Sequence, residues 1–286
     1  MLRSPGRGIQ PRRVGRKRSS LPPGAVGGAS MMAVRTWGLP VLMVLVLAAG
    51  GAFGGLADTV SVVGRSIVAV GTYQAMRRPP SVFLGTGFAV ADGRHILTNA
   101  HVLPEKLDKA HREALVAFVG RGSEVQAREL EEVLRDEDHD VVLLRFRGEP
   151  LSPLKVDPGP AREGQDIAFT GFPIGMVLGL YPVTHRGIIS AVSPMAIPVK
   201  SGQGLTPDLV QRLKDTFDVY QLDATAYPGN SGSPLFHPDT GRVLGIVNKV
   251  LLTHGKEKAL EAPSGITFAV PIIHAVNLMK RAGLSP

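Results

Sequence analysis

The chain has 286 residues, no cysteine, 44% hydrophobic residues and a formal net charge of +8. This length and apolar content support one large domain or two small ones and exclude a chain that is disordered throughout. The lack of cysteine excludes disulfides, thiol catalysis and thiolate metal sites. The 34 glycines and 23 prolines are typical of an all-β chain with short strands.

The basic excess belongs to the start of the chain. Eight of the 32 Lys and Arg residues precede Asp58, where no acidic residue occurs, and the remaining 24 balance the 24 Asp and Glu residues. A nucleic-acid-binding domain carries its basic excess on the folded part, which is neutral here. We therefore predict no nucleic-acid partner.

Residues 1–57 are predicted to be a basic leader. Residues 39–57 carry no charge and follow Arg35, and the most apolar part, Val41–Ala49, is short. Small residues end the stretch, with Ala57 as the last of them, which is typical of a secretory signal peptide cleaved near Ala57. An uncleaved membrane anchor through residues 39–57 is the alternative, because this stretch is just long enough to span a bilayer.

The leader leaves further alternatives open. A signal peptide of ordinary length would begin at Met31 or Met32 rather than at Met1. The Arg-rich, acid-free start also resembles a mitochondrial transit peptide. The expected location is outside the cytoplasm, either periplasmic or secreted, with or without an anchor, and residues 58–286 are the expected folded domain.

Short apolar runs separated by turn residues follow the leader. They predict about ten strands at a spacing that is typical of barrels or sandwiches. The predicted strands are residues 66–72, 81–90, 94–98, 115–119, 141–146, 166–170, 187–192, 219–222, 243–250 and 265–270. Helical patterns occur at Pro104–Ala114, at Pro207–Phe217 and at Ile272–Arg281.

The segment Pro228–Pro234 has glycines on both sides of Ser231. Glycine permits a tight turn that exposes the hydroxyl and directs backbone N–H groups towards one point. The expected oxyanion hole is Gly229, Asn230 and Ser231, with the N–H groups of Gly229 and Ser231 as donors. A plain surface turn would have the same sequence pattern, so this segment does not decide the function by itself.

Two more segments supply a base and a carboxylate. His101 follows an apolar strand, at a position suited to a general base. Asp140 lies between an acidic turn and the apolar strand 141–146, where it can be partly buried and can orient a histidine. The order His101, Asp140, Ser231 differs from the orders of α/β-hydrolases and subtilisins.

These segments resemble the trypsin-like peptidase superfamily and, within it, the HtrA/Deg family. The likeness covers nearly all of residues 61–278, in order. It is carried by residues 86–88, 96–102, 140–144, 171–175, 187–191, 223–224, 229–235 and 264–271.

The resemblance implies an all-β, chymotrypsin-like double β-barrel with a C-terminal helix, its barrels at about residues 58–158 and 159–286. It implies a catalytic triad of His101, Asp140 and Ser231 in the cleft between the barrels, acting through an acyl-enzyme without metal or cofactor. The implied substrates are polypeptides, namely unfolded or damaged envelope proteins. A monomer and a trimer are both open.

The same resemblance assigns the specificity pocket to Thr225, Ala226, Tyr227 and Thr267. None of these residues is charged, so cleavage after Lys or Arg is not favoured, and small or medium aliphatic residues are expected before the cut. Tyr227 either narrows the pocket or packs as an ordinary surface residue.

The chain departs from the family pattern in several places. Ser233 stands where glycine is more common, and Ser193–Phe217 is longer than expected. The sequence stops after the terminal helix, so the usual PDZ domain is not expected. Asn230 replaces the aspartate that pairs with a new N-terminus in chymotrypsin-like zymogens, so no activation of that kind is predicted. A non-catalytic binding module on the same fold is the alternative function.

Overall fold

The structure is a computed structural model that describes residues 55–122, 124–173, 179–195, 217–248 and 266–286. In these residues, the strands form two closed barrels of six strands each. The strands are β1 Ile67–Tyr73, β2 Ser81–Val90, β3 His95–Thr98, β4 Ala114–Val119, β5 Gln126–Asp136, β6 Val141–Phe146, β7 Asp166–Gly171, β8 Val183–Pro194, β9 Asp218–Asp223, β10 Pro234–Phe236, β11 Val243–Asn248 and β12 Ile266–Pro271. The helices are α1 Gly55–Val63 and α2 Ile272–Arg281.

The first barrel is closed in the order β1-β2-β3-β6-β5-β4, and its neighbouring strands are antiparallel. Its interior is filled by aliphatic and aromatic side chains that strands favour, such as Val70, Ile96 and Phe146. Thr98 at the end of β3 pairs with Val142 near the start of β6. The residues that follow β3 and precede β6 therefore lie at the same edge of the barrel.

The second barrel is closed in the order β10-β11-β12-β9-β8-β7. Its interior contains the buried side chains of Ile167, Phe169, Ile189 and Leu222. The short strand β10 begins three residues after Ser231 and pairs with both β7 and β11. The two barrels and α2 confirm the predicted all-β fold, a chymotrypsin-like double barrel with a C-terminal helix.

The predicted strands correspond to observed strands, but β5 and β10 were not predicted. Strand β5 has the polar sequence QARELEEVLRD, and Leu130 is its one buried residue. Such a segment has weak strand propensity, and its pairing with β4 and β6 makes it a strand. Strand β10 has three residues, too few for a recognisable alternation.

The helix predicted at Pro104–Ala114 is wrong. The segment contains only a 3₁₀ turn, Lys109–His111, and the Asp108 side chain caps this turn by accepting the N–H of His111. Arg112 follows in the left-handed conformation, with φ of 57°, which ends the turn. Leu107 packs against the first barrel although its segment is not helical. The helix-like spacing of apolar residues in this segment therefore led to the wrong prediction.

Helix α2 has the bounds that the sequence predicts. Its apolar face packs into a core that includes Val141 of the first barrel and Phe236 of the second. The helix thus contacts both barrels, and its buried residues are Ile272, Ala275, Val276, Leu278 and Met279.

Some predicted features lie outside the described residues. These are most of the leader, residues 207–216 of the predicted helix, and the strand ends at residues 249–250 and 265. Helix α1 begins at Gly55, so the predicted mature start at Asp58 lies in its first turn. In the described ranges, no helix has both the length and the apolar character needed to cross a membrane.

Candidate active site

The structure brings His101 and Asp140 into contact at the edge of the first barrel. His101 lies in a 3₁₀ turn, Ala100–Val102, directly after β3, and Asp140 directly precedes β6. The Nδ1 atom of His101 lies 2.5 Å from Oδ2 of Asp140, and the backbone N–H of His101 donates to Oδ1 at 2.8 Å. The carboxylate thereby fixes the orientation of the imidazole, and its contact with Nδ1 leaves Nε2 to act as a base.

Hydrogen bonds hold the backbone of Asp140 as well as its carboxylate. Its carbonyl oxygen accepts the backbone N–H of Ala100 at 3.2 Å and the side-chain amide of Asn99 at 3.0 Å. Its φ is +53°, in the left-handed region that non-glycine residues seldom adopt. This conformation turns the chain sharply from the acidic loop into β6.

Asn248 is a site residue that the sequence analysis missed. It ends β11 of the second barrel, is fully buried, and donates its side-chain amide to Oδ2 of Asp140 at 2.5 Å. The carboxylate of Asp140 therefore accepts hydrogen bonds from both barrels. The sequence carries little signal for this role, because Asn248 lies in an apolar strand with no motif around it.

Ser231 lies in a turn of the second barrel that is bound to the first. Its carbonyl oxygen accepts the N–H of Thr86 in β2 at 2.8 Å. A Cβ added at Gly85 would lie 2.8 Å from the methyl groups of Val102 and 3.0 Å from the carbonyl oxygen of Ser231. The residue that follows His101 and the residue predicted as nucleophile are therefore neighbours. In the described part of the chain, Ser231 Oγ makes no hydrogen bond.

The turn that precedes Ser231 has the features of a type II β-turn. The N–H of Asn230 donates to the carbonyl oxygen of Tyr227 at 3.0 Å, Pro228 occupies the second position, and Gly229 has φ of +99°. Such a turn needs glycine at its third position, because a side chain there would be strained.

The hydrogen bond that closes this turn determines which backbone N–H groups remain available to bind a substrate oxygen. Within the described residues, the N–H groups of Gly229 and Ser231 make no hydrogen bond, as an oxyanion hole requires. The N–H of Asn230 is already bonded to the carbonyl oxygen of Tyr227, which leaves Gly229 and Ser231 as the expected donors, and the oxyanion hole stays a prediction. Asn230 shapes the turn and does not offer its own amide.

Thr86 is a second residue whose role the sequence did not predict. Its buried hydroxyl donates to the carbonyl oxygen of Gly229 at 2.8 Å and accepts the N–H of Phe172 at 3.0 Å. Its carbonyl oxygen accepts the hydroxyl of Thr98 at 2.6 Å. Thr86 thus links the turn Tyr227–Asn230, which we call the oxyanion turn, to β3, the strand that leads to His101.

The side chains of Asn230 and Ser233 are buried beneath this turn. Both are fully buried, and within the described residues their side-chain polar atoms have no hydrogen-bond partner. A Cβ at Gly171 would lie 2.1 Å from Ser233 Oγ and 2.9 Å from Asn230 Oδ1. Glycine is therefore required at this position, where the end of β7 approaches the two buried side chains. Asn230 carries no charge that could offset a buried ammonium, and the lack of zymogen-type activation stays a prediction.

Three of the predicted pocket residues, Thr225, Ala226 and Tyr227, follow β9 and lead into the oxyanion turn. The fourth, Thr267, lies on β12. Thr267 Oγ1 accepts the N–H of Ala226 at 3.0 Å and donates to the carbonyl oxygen of Ala224 at 2.6 Å. Ala226 is buried and Thr225 is half-buried, whereas Tyr227 is 40% exposed. The Thr267 hydroxyl therefore ties β12 to the segment Ala224–Ala226, which contains two of the predicted pocket residues.

Tyr227 lies beside His185 of β8, with ring centroids 5.9 Å apart. His185 stacks on the buried ring of Phe169 at 4.8 Å, and burial lowers the pKa of its imidazole. The imidazole of His185 beside Tyr227 is therefore neutral at neutral pH. In the ranges that the structure describes, no group of three or more His, Asp or Glu side chains is arranged to hold a metal ion.

Two barrels with a histidine–aspartate pair on one and a braced serine turn on the other define the chymotrypsin-like class of proteins. The sequence profile of the trypsin-like peptidase domain matches residues 85–246, more than half of the chain. The chain therefore belongs to the trypsin-like peptidase domain family.

Curated relatives carry similar sequences. A probable periplasmic serine endoprotease, DegP-like, of Halomonas elongata is 32% identical over 197 residues, which are 68% of this chain and 34% of the relative. The mitochondrial serine protease HTRA2 of Drosophila pseudoobscura pseudoobscura is 27% identical over 237 residues, 80% of this chain and 48% of the relative. The chain thus spans between a third and a half of the length of these proteins.

Solved structures share the fold. The active form of the Rv3671c protease from M. tuberculosis superposes with a TM-score of 0.58 and 22% identity, covering 80% of this chain and 85% of that one. The HtrA-type protease AlgW with a decapeptide superposes with a TM-score of 0.56 and 20% identity, covering 79% and 67%. At these identities the likeness concerns the fold alone.

Proposed function

We propose that this protein is a serine endopeptidase in which His101, Asp140 and Ser231 form the catalytic triad. The observation that carries the proposal is the 2.5 Å contact between Nδ1 of His101 and Oδ2 of Asp140, together with a serine turn in which two N–H groups have no partner among the described residues. Family membership supports a peptidase, and this geometry supports the assignment of the three residues.

The chemistry follows the serine peptidase scheme. Ser231 Oγ attacks the carbonyl carbon of a peptide bond while Nε2 of His101 takes the hydroxyl proton. The N–H groups of Gly229 and Ser231 bind the developing oxyanion, each contributing about 3 kcal/mol to transition-state stabilisation. His101 then gives its proton to the leaving amine as the peptide bond breaks.

The second half of the reaction regenerates the enzyme. His101 takes a proton from a water molecule, whose oxygen attacks the acyl carbon. Ser231 Oγ leaves with that proton, and the product carboxylic acid is released. Asp140 orients His101 and stabilises the imidazolium, and its own position is held by hydrogen bonds from His101 and Asn248.

The proposed substrates are unfolded or damaged proteins of the cell envelope. The relative from Halomonas elongata is named periplasmic, and the basic, apolar leader supports export of this chain, either with cleavage near Ala57 or with anchoring through residues 39–57. The uncharged pocket residues Thr225, Ala226 and Thr267 favour small or medium aliphatic residues before the cut. N-terminal sequencing of the protein from the cell envelope distinguishes cleavage from anchoring.

The test of the activity is digestion of reduced, unfolded casein by the full-length protein and by its Ser231→Ala variant. A fluorophosphonate probe is added in parallel, because it labels only an activated serine. We expect digestion and labelling by the wild type and neither by Ser231→Ala. Binding of casein without cleavage or labelling would instead favour the non-catalytic binding module. The molecular mass of the same sample in solution distinguishes a monomer from a trimer.

A further inference from the structure

Three aromatic rings meet beside the turn that carries Asp140. The imidazoles of His139 and His274 stack with their centroids 3.8 Å apart and their planes at 22°. The ring of Phe217 lies 4.8 Å from His139 and 5.0 Å from His274. His139 belongs to the loop between β5 and β6, Phe217 directly precedes β9, and His274 lies on α2. This aromatic clamp therefore joins both barrels to the C-terminal helix.

Hydrogen bonds hold His139, the clamp residue that belongs to the β5–β6 loop. The carboxylate of Asp136 accepts the backbone N–H of His139 at 3.2 Å and lies 3.0 Å from its Nδ1. The guanidinium of Arg281, at the end of α2, lies 4.0 Å from the same carboxylate. The next residue, Asp140, donates its N–H to the carbonyl oxygen of Glu137 at 3.3 Å. The side chain of His139 therefore holds a closed turn of which Asp140 is the last residue.

Asp140 needs such support because its backbone is strained. A non-glycine residue with φ of +53° lies about 1–2 kcal/mol above the right-handed conformation and persists only where its surroundings impose it. The neighbouring side chain of His139 has one face covered by His274 and another edge by Phe217. Rotation of the turn towards a relaxed φ would pull His139 out of this clamp.

The charge state of the clamp suits stacking at neutral pH. Burial, followed by the nearby His139, lowers the pKa of His274 to about 4, and Asp136 opposes this shift. His274 is therefore neutral at neutral pH, and no charge repulsion separates the stacked imidazoles. Charged groups beside the clamp are Asp136 at the end of β5 and Arg281 at the end of α2.

We propose that His274 and Phe217 are positioning residues for catalysis: by clamping His139 they hold Asp140 in the conformation that orients His101. This inference rests on the proposed function, because it concerns the same triad. It gives α2 a role beyond core packing. Among the described residues, the ring contacts of His274 and Phe217 are with each other and with His139, so we expect an effect on the reaction to pass through the His139–Asp140 turn.

The experiment compares His274→Ala, His274→Phe and the control Asn277→Ala, an exposed change on the same helix. The wild type and Ser231→Ala are measured first, because loss of hydrolysis in Ser231→Ala establishes the peptidase independently of the clamp. For each variant, kcat and KM on a peptide substrate, the pH profile of kcat/KM and the thermal midpoint are recorded. The acid side of that profile reports the protonation of the catalytic base.

We expect His274→Ala to lower kcat by about tenfold with KM almost unchanged, because a small displacement of Asp140 misaligns the base without changing the pocket. The acid side of the profile should move to lower pH, since the imidazolium of His101 loses part of its interaction with the carboxylate. His274→Phe, which preserves ring stacking, should keep most of the wild-type kcat.

A lower thermal midpoint with unchanged kcat and an unchanged pH profile would overturn the proposal and leave His274 a packing residue. Equal losses in His274→Ala and His274→Phe would also overturn it. If His274→Ala does not fold, Phe217→Leu makes the same comparison, because it removes a ring from the clamp but keeps its apolar volume. Activity in Ser231→Ala equal to the wild type would instead refute the proposed function.

Discussion

The side-chain amide of Asn248 donates to Oδ2 of Asp140 at 2.5 Å, across the cleft between the two barrels. The same oxygen contacts Nδ1 of His101, so one carboxylate atom is shared by a residue from each barrel. The relative placement of the barrels is therefore coupled directly to the orientation of His101, the proposed catalytic base. A hydrogen bond to a charged group typically contributes about 1.5–3 kcal/mol.

Asn248→Ala is expected to lower kcat by about ten- to a hundredfold, because Asp140 loses a charge-assisted hydrogen bond. Asn248→Asp should be worse at neutral pH, since it places a second carboxylate against the first. Steady-state hydrolysis of a peptide substrate measures both. Asn277→Ala serves as the matched control, being an exposed asparagine on α2. Wild-type rates in both variants would show that Asn248 has no catalytic importance.

Gly232→Ala is expected to destabilise the fold by about 2–5 kcal/mol and to abolish activity. Its φ is +85°, and an added Cβ would lie 2.0 Å from the carbonyl oxygen of Thr86 and 2.2 Å from Thr98 Oγ1. Gly283→Ala is the control, because Gly283 has φ of +75° but no atom within 4 Å of the added Cβ. Urea unfolding should give a clearly smaller loss for the control, and equal losses would mean that the close approach is unimportant.

Thr86→Val removes the hydroxyl that links the oxyanion turn to Phe172, the residue after β7, with almost no change in volume. Because the carbonyl oxygen of Gly229 and the N–H of Phe172 both lose a partner, we expect an activity loss equivalent to about 1–3 kcal/mol. Thr86→Ser keeps the hydroxyl and should remain close to the wild type. The rate of fluorophosphonate labelling measures the effect, and a labelling rate in Thr86→Val as fast as in Thr86→Ser would contradict it.

Thr267→Val is expected to loosen the pocket wall, since Ala226 loses its acceptor and the carbonyl oxygen of Ala224 loses its donor. The predicted result is a fall of about tenfold in kcat/KM for the preferred peptide, with weaker discrimination between small and larger aliphatic residues. Thr267→Ser should preserve both. A peptide series that varies the residue before the cut provides the measurement, and an unchanged preference in Thr267→Val would refute the bracing role.

His274 should make the stability of the protein dependent on pH. Its pKa is about 4 in the folded state and close to 6.5 when unfolded, so the unfolded state binds the proton more readily. The contribution of His274 to stability is therefore complete above about pH 6.5 and is lost as the pH falls towards about 4. His274→Phe should flatten this part of the curve.

The measurement is urea unfolding at intervals between pH 4 and pH 7 for the wild type and His274→Phe. Other titrating groups change stability in both proteins, so the difference between the two curves isolates His274. A difference that stays constant over this range would show that His274 titrates in the folded protein as it does in the unfolded chain.

The motifs around His101, Asp140 and Ser231 could be recognised in the sequence because each depends on local chemistry. A strand end, an acidic turn before an apolar strand and a glycine-flanked serine are all encoded by adjacent residues. The strands that alternate or are wholly apolar were predictable for the same reason. Strand β5 was not, because its charged residues become a strand only through pairing with its neighbours.

The sequence by itself determined the fold class, the family resemblance and the three candidate catalytic residues. The tertiary structure decided what holds them: Asn248 and Thr86, and the positions of His139, His274 and Phe217 around the strained Asp140. These residues are far apart in the chain, and their roles arise from strand register and from the packing of α2. Local patterns carry information about neighbours in sequence, whereas a buried hydrogen bond between two barrels depends on how the whole chain closes.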